Sequence, residues 1–223
     1  MTPSPPPGAP PSSLPPSPAD LGNLVDVPRL PRQARSRAKR DQLLAAALAL
    51  FDERGFEATT IDAIAARAGV SVGIFYRYFR SKQQILLALT QERLAEIRLN
   101  LADVRSVSLS VDVLERRLAA FLARDRQFIG LRRARQELLL RRPELALIEQ
   151  QQFDALCRDL ATNIEQGRRT GLLRPDLDAA ATAVNILLLA VQLRTLLPQR
   201  TDEQLAPVIR AAAQLIYHGL ALD

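Results

Sequence analysis

A single cysteine, Cys157, leaves an intramolecular disulfide without a second thiol and fits a reducing compartment. It falls between Leu156 and Leu160 in a helical pattern, so it reads as a small buried apolar residue rather than a reactive thiol. Histidine is as scarce, with His218 alone. No zinc-ligand spacing can be written from one of each, and neither a P-loop nor a paired-carboxylate site is present. No metal and no cofactor are expected. The N-terminus lacks the basic and apolar regions of a signal peptide. The most apolar run, Ala179 to Leu197, is interrupted by Asn185, Gln192 and Arg194, and it reads as too short and too polar to span a bilayer. A cytoplasmic protein without membrane contact is expected. Strand-like alternation, turn-rich strand pairs and internal repeats are also missing, so the fold class is all-α.

What is present is unevenly placed. Residues 1–31 hold eleven of the fifteen prolines and few apolar side chains, the composition of a disordered leader. The net charge of +6 sits entirely in residues 29–82, which carry eleven bases and five acids. Residues 83–223 are close to balance, with nineteen arginines against seventeen acids. Positive charge gathered in a quarter of the chain is expected of a module that binds a polyanion.

The basic segment is also patterned as short helices. From about Ser36 to Arg54 the residues Leu43, Leu44, Ala47, Leu48, Leu50 and Phe51 line one face, and Gly55 ends the run. Thr59 and Thr60 then offer N-caps, with Asp62 three residues past Thr59 as in a capping box. Ile61, Ile64, Ala65 and Ala68 form the inner face of a second helix, which Gly69 ends. Ser71 caps a third over Val72 to Phe79, and Ser81 a fourth that begins at Lys82. Two short helices joined at Ala68-Gly69-Val70 meet the local needs of a helix-turn-helix. Ser71, Val72 and Gly73 are small enough to let the second helix approach base edges end-on. Arg77 can fork onto guanine, and Tyr76 can reach a phosphate oxygen. Further helical patterns cover roughly 111–126, 128–141, 143–169, 178–197 and 202–220.

Residues 37–88 resemble the N-terminal domain of the tetracycline-repressor (TetR-type) family of bacterial regulators. The likeness is carried by Leu43-Leu44-Ala45-Ala46-Ala47, Arg54-Gly55-Phe56, Ala58-Thr59-Thr60-Ile61, Ala68-Gly69-Val70-Ser71, Gly73-Ile74-Phe75-Tyr76 and Ser81-Lys82. It implies base contacts from Val72, Gly73 and Arg77, and phosphate contacts from Thr60, Ser71, Tyr76 and Lys82. Position 78, often histidine in the family, is Tyr78 here. Arg35, Arg37 and Arg40 at the start of the first helix either form a DNA-backbone arm or are simply solvated. The resemblance divides the chain into a leader (1–31), a helix-turn-helix domain (32–82) and a ligand-sensing, dimerising helical bundle (83–223). It implies a homodimer on a palindromic operator in double-stranded DNA, released by a small-molecule effector. Phe121, Phe128, Leu131, Phe153 and Cys157 are candidates for the ligand pocket, each with plain core as the alternative. A ligand-independent regulator acting through protein partners is the competing class.

One further motif needs weighing. Gly69-Val70-Ser71-Val72-Gly73 spells the G-x-S-x-G elbow of α/β-hydrolases, and His218 could complete a triad. That elbow requires a buried strand before the serine, whereas residues 61–68 read as an alanine-rich helix, so no enzyme is expected.

Overall fold

The computed structural model describes residues 34–102 and 109–222; the expected leader lies outside them. Among the described residues there are nine α-helices and no strand. The first three are α1 (Ala34–Arg54), α2 (Ile61–Arg67) and α3 (Val72–Tyr78), followed by α4 (Lys82–Ala102). Then come α5 (Val111–Arg126), α6 (Ile129–Arg141), α7 (Ala146–Arg169), α8 (Ala179–Thr195) and α9 (Asp202–Leu220). Single 3-10 turns at Pro143–Leu145 and Leu197–Gln199 precede α7 and follow α8.

Local chemistry explains the boundaries. Gly55 and Gly69 adopt φ of +78° and +66°, a region costly for other residues, and each turns the chain out of a helix. Thr60 caps α2 by accepting from the Ala63 amide at 3.1 Å, and Ser71 caps α3 by accepting from Ile74 at 3.4 Å. Thr59, the other cap candidate, is buried instead. Its hydroxyl donates to the carbonyls of Gly55 at 2.7 Å and Leu50 at 3.3 Å, closing the end of α1. Asp178 caps α8 by accepting from two amides at 3.0 Å, and a capping box of Thr201 and Gln204 opens α9.

The buried residues form three clusters. In the first, Leu43, Phe51, Ile64, Phe75, Phe79, Ile85 and Leu86 pack with Leu131, Ala134 and Leu138 of α6. This core therefore crosses the boundary expected at 82/83, and α6 is seated directly on α1. Gly130 makes that possible, since a methyl group there would come within 2.3 Å of the Asp52 Cα. The second core gathers α4, α7, α8 and α9 around Ile97, Leu160, Leu187 and Ile216. The third joins α5, α8 and α9 through Leu122, Leu193, Leu205 and Ile209.

α8 corrects one expectation. Helical structure runs on through the 3-10 turn, and Ala179–Gln199 is 21 residues long, long and apolar enough by length and composition to cross a bilayer. Shortness therefore does not exclude a span. α8 lies against α7, α5 and α9 and its Arg194 comes within 4.0 Å of Asp125, while 22% of the apolar window is buried.

Candidate nucleic-acid interface

α2, its turn and α3 form a helix-turn-helix whose inner and outer faces are chemically opposite. Phe75 and Phe79 are fully buried against α1 and α4, which fixes how α3 is rotated. That rotation leaves Ser71, Gly73, Tyr76 and Arg77 exposed, with Thr60 exposed at the start of α2. Tyr76 is 55% exposed, and its ring stands in an edge-to-face arrangement with Phe75, centroids 5.6 Å apart. Arg77 has no hydrogen-bond or ion-pair partner among the described residues, so its guanidinium faces solvent with every donor available. Nothing but the Ser71 hydroxyl, at 3.9 Å, would meet a methyl group added at Gly73. The opening turn of α3 is thus a bare, narrow ridge of backbone. Val72 is half-buried and contributes to the first core as well as to the ridge.

Two of the expected contact residues are engaged inside the protein. Lys82 donates from Nζ to the carbonyls of Phe56 at 2.6 Å and Glu57 at 3.2 Å, with the ammonium over the Phe56 ring at 4.4 Å. Burial holds its pKa below the usual lysine value, opposed by the Glu57 and Glu137 carboxylates. Arg40 is buried, pairs with Glu92 at 2.6 Å and lies over Phe79. This corrects its assignment to a DNA-facing arm, because a guanidinium consumed between α1 and α4 has no reach outward. Arg35 and Arg37 remain exposed on the first turn of α1.

Sequence reasoning missed what ties these pieces together. The Tyr78 hydroxyl lies 2.7 Å from Ser36 Oγ, joining α3 to the first turn of α1 beside Arg35 and Arg37. Glu137 of α6 accepts from the amides of Phe56 at 2.9 Å and Glu57 at 3.3 Å, holding the α1–α2 turn from a helix distant in sequence. These pairs are 42, 81 and 80 positions apart, and no local pattern announces them.

The five ligand-pocket candidates do not converge on one cavity. Leu131 is in the first core and Phe128 packs against it; Phe121, Phe153 and Cys157 belong to the second. A cavity of about 20 Å³ lies nearby, lined by Thr90, Arg135, Leu138 and Glu149 among others, room for about one water. Phe121 and Phe128 do share a neighbour, flanking the guanidinium of Arg93 at 5.7 and 4.7 Å. The G-x-S-x-G serine, Ser71, is a helix cap following a helix, as its surroundings in the sequence require.

Residues 43–89 match the family of bacterial regulatory proteins, tetR family. The chain is 48% identical over 63 residues to the HTH-type transcriptional activator FasR of Mycolicibacterium smegmatis, covering 28% of this chain and 27% of that protein. It is 43% identical over 60 residues to the transcriptional repressor KstR2 of the same organism, covering 27% and 28%. These matches span only about a quarter of either relative's length. The fold extends further. A TetR-family regulator from Mesorhizobium loti superposes with a TM-score of 0.70 at 17% identity, over 85% of this chain and all of that one. SmeT in complex with triclosan, where SmeT is the repressor of a Stenotrophomonas maltophilia multidrug efflux pump, gives 0.65 at 21% identity over 83% and 93%. The N-terminal helical unit of this chain is therefore similar in sequence, over residues 43–89, to the bacterial regulatory proteins of the tetR family, and the helical fold as a whole is similar to solved TetR-family structures.

Proposed function

We propose that this chain is a sequence-specific DNA-binding transcription regulator, a homodimeric repressor that leaves a palindromic operator when a small apolar or amphipathic ligand binds its helical domain. The reading is carried by the exposed outer face of α3 and its cap, where Ser71, Gly73, Tyr76 and Arg77 face outward with Arg77 unpaired among the described residues. Val72, Gly73 and Arg77 read bases; Thr60, Ser71 and Tyr76 hold phosphates. Lys82 adds long-range positive charge while it braces the α1–α2 turn. A duplex-binding role also puts the protein in the cytoplasm with the bacterial chromosome, and in the company of regulators rather than enzymes.

Dimerisation is supported by the outer faces of α8 and α9, where Val184, Leu188 and Leu215 are exposed at 36%, 46% and 71%. Two copies also supply two reading heads, which multiplies the bases contacted. Repression and ligand release are drawn from KstR2, named a repressor, and from SmeT, bound to triclosan.

The test is selection from a pool of random duplexes with the full chain, followed by binding measurements on the selected sequence. A palindromic preference is expected, with affinity that falls steeply as salt rises. Binding with no sequence preference, or none at all, sinks the proposal.

A further inference from the structure

Three guanidinium groups, from three different helices, meet one buried carboxylate in the helical bundle. Asp125, near the end of α5, is 1% exposed. Arg93 of α4 donates to its Oδ1 at 3.2 Å. Arg132 of α6 donates to both its Oδ2 and its backbone carbonyl. Arg194 of α8 comes within 4.0 Å of Oδ2. Glu96 supplies one more carboxylate, shared by Arg93 at 3.0 Å and Arg124 at 2.7 Å. With Arg124 half exposed, three poorly solvated cations stand against Asp125 and the partly exposed Glu96. The flanking Arg135 is occupied by Glu149, and Arg126 by Asp202.

Excess positive charge in a poorly solvated place is costly unless an anion answers it. Donors are also left over. The Nε of Arg93, a residue only 7% exposed, and the Nε of Arg194 are buried without a hydrogen-bond partner. The rings of Phe121 and Phe128 lie 5.7 and 4.7 Å from the Arg93 guanidinium carbon, apolar neighbours that leave its Nε without an acceptor. Burial lowers the pKa of both Arg132 and Arg194, and the neighbouring arginines deepen the effect while Asp125 opposes it. Arg132 and Arg194 each keep 22% of the side chain exposed, so the cluster is reachable from solvent.

We infer that this cluster is the polar end of the effector site and takes an oxyanion group, carboxylate or phosphate, between Arg93, Arg132 and Arg194. Planar carboxylates and phosphates both match the arginine fork. The apolar part of the ligand lies beside Phe121 and Phe128. This rests on the regulator reading and narrows its ligand from apolar to anionic and amphipathic. It also supplies a route to the reading head. Arg93 sits on α4, the helix that begins just after α3, so an anion that prefers one setting of α4 shifts the population of DNA-competent dimers.

The experiment titrates the full chain by calorimetry and thermal shift at constant ionic strength. The probes are octanoate, benzoate, inorganic phosphate and phenyl phosphate, with octanol and benzyl alcohol as uncharged counterparts. At least one oxyanion is expected to bind saturably and raise the melting temperature, and the carboxylate and phosphate arms tell which group is preferred. Its uncharged counterpart, or for inorganic phosphate an equal charge of chloride, should bind at least tenfold more weakly. Arg194→Gln should weaken the oxyanion at least tenfold, with Arg132→Gln as the second variant should the first not fold. Asp125→Asn should tighten binding, since it removes the carboxylate that competes for the same donors. The inference is overturned if all four oxyanions fail to bind, if charged and uncharged probes bind alike, or if the glutamine variant binds as the parent does. Operator selection run in parallel separates the two claims. A chain that selects a duplex yet ignores every oxyanion remains a regulator and loses this site; one that binds an oxyanion but selects no duplex keeps the site and loses its role.

Discussion

Arg77 and Lys82 are five positions apart and carry the same charge, yet the fold assigns them different work. Arg77 projects from α3 with its donors unspent, whereas Lys82 spends two hydrogen bonds on the Phe56–Glu57 turn. Arg77→Ala should cost about 1–3 kcal/mol at a single operator position and relax preference there. A panel of operators with single base changes checks this, and an unaltered preference would remove Arg77 from the reading set. Lys82→Met should instead lower stability by about 1–3 kcal/mol, because charge-assisted bonds to carbonyls are lost. Denaturant midpoints measure it. Cys157 gives a third residue-level prediction. It is buried, and burial pushes its thiol pKa up. The folded chain therefore favours the neutral thiol: that contribution is present below the ordinary thiol pKa and fades as pH climbs through the raised value. Iodoacetamide at mildly alkaline pH should label Cys157 slowly in the native chain and quickly in denaturant. Equal rates would contradict its burial.

At the scale of elements, two helical glycines separate folding from binding. Gly130 lies where α6 crosses α1, and a methyl group there would strike the Asp52 backbone. Gly130→Ala should destabilise the protein by about 1–3 kcal/mol, since two helices must part to admit it. Gly73 has open space around it and a helical setting. Gly73→Ala should raise stability by about 0.5–1 kcal/mol through helix propensity, yet weaken operator binding because the proposed function sets this position against base edges. Thermal melts beside duplex titrations test the pair, and a Gly73→Ala variant that binds DNA as tightly as the parent would move the ridge off the DNA. The helices themselves were largely legible in the sequence. α5 and α9 run from Val111 to Arg126 and from Asp202 to Leu220, as the apolar spacing predicts. Caps and glycines act over three or four residues, and that is why their chemistry can be read locally. Thr59 shows the limit, because only the packed end of α1 decides that its hydroxyl turns inward.

At the scale of the molecule, the exposed apolar strip on α8 and α9 should govern assembly. Leu188→Arg is expected to turn a dimer into a monomer by light scattering and to weaken binding to a full palindrome far more than to a half-site. A dimer that survives would place the interface elsewhere. The amino-acid order by itself determined the all-helical class, the helix ends, the turn at Gly69 and the exposed tip of α3, because periodicity, caps and backbone freedom are properties of neighbours along the chain. Only tertiary structure decided that Arg40 and Lys82 bond within the protein, that α6 packs on the helix-turn-helix unit through Gly130 and Glu137, and that arginines from α4, α6 and α8 close around Asp125. Apart from Arg132, which is seven positions from Asp125, those outcomes depend on charges and carbonyls brought together across 25 to 81 positions, where burial sets their partners and no local rule reaches.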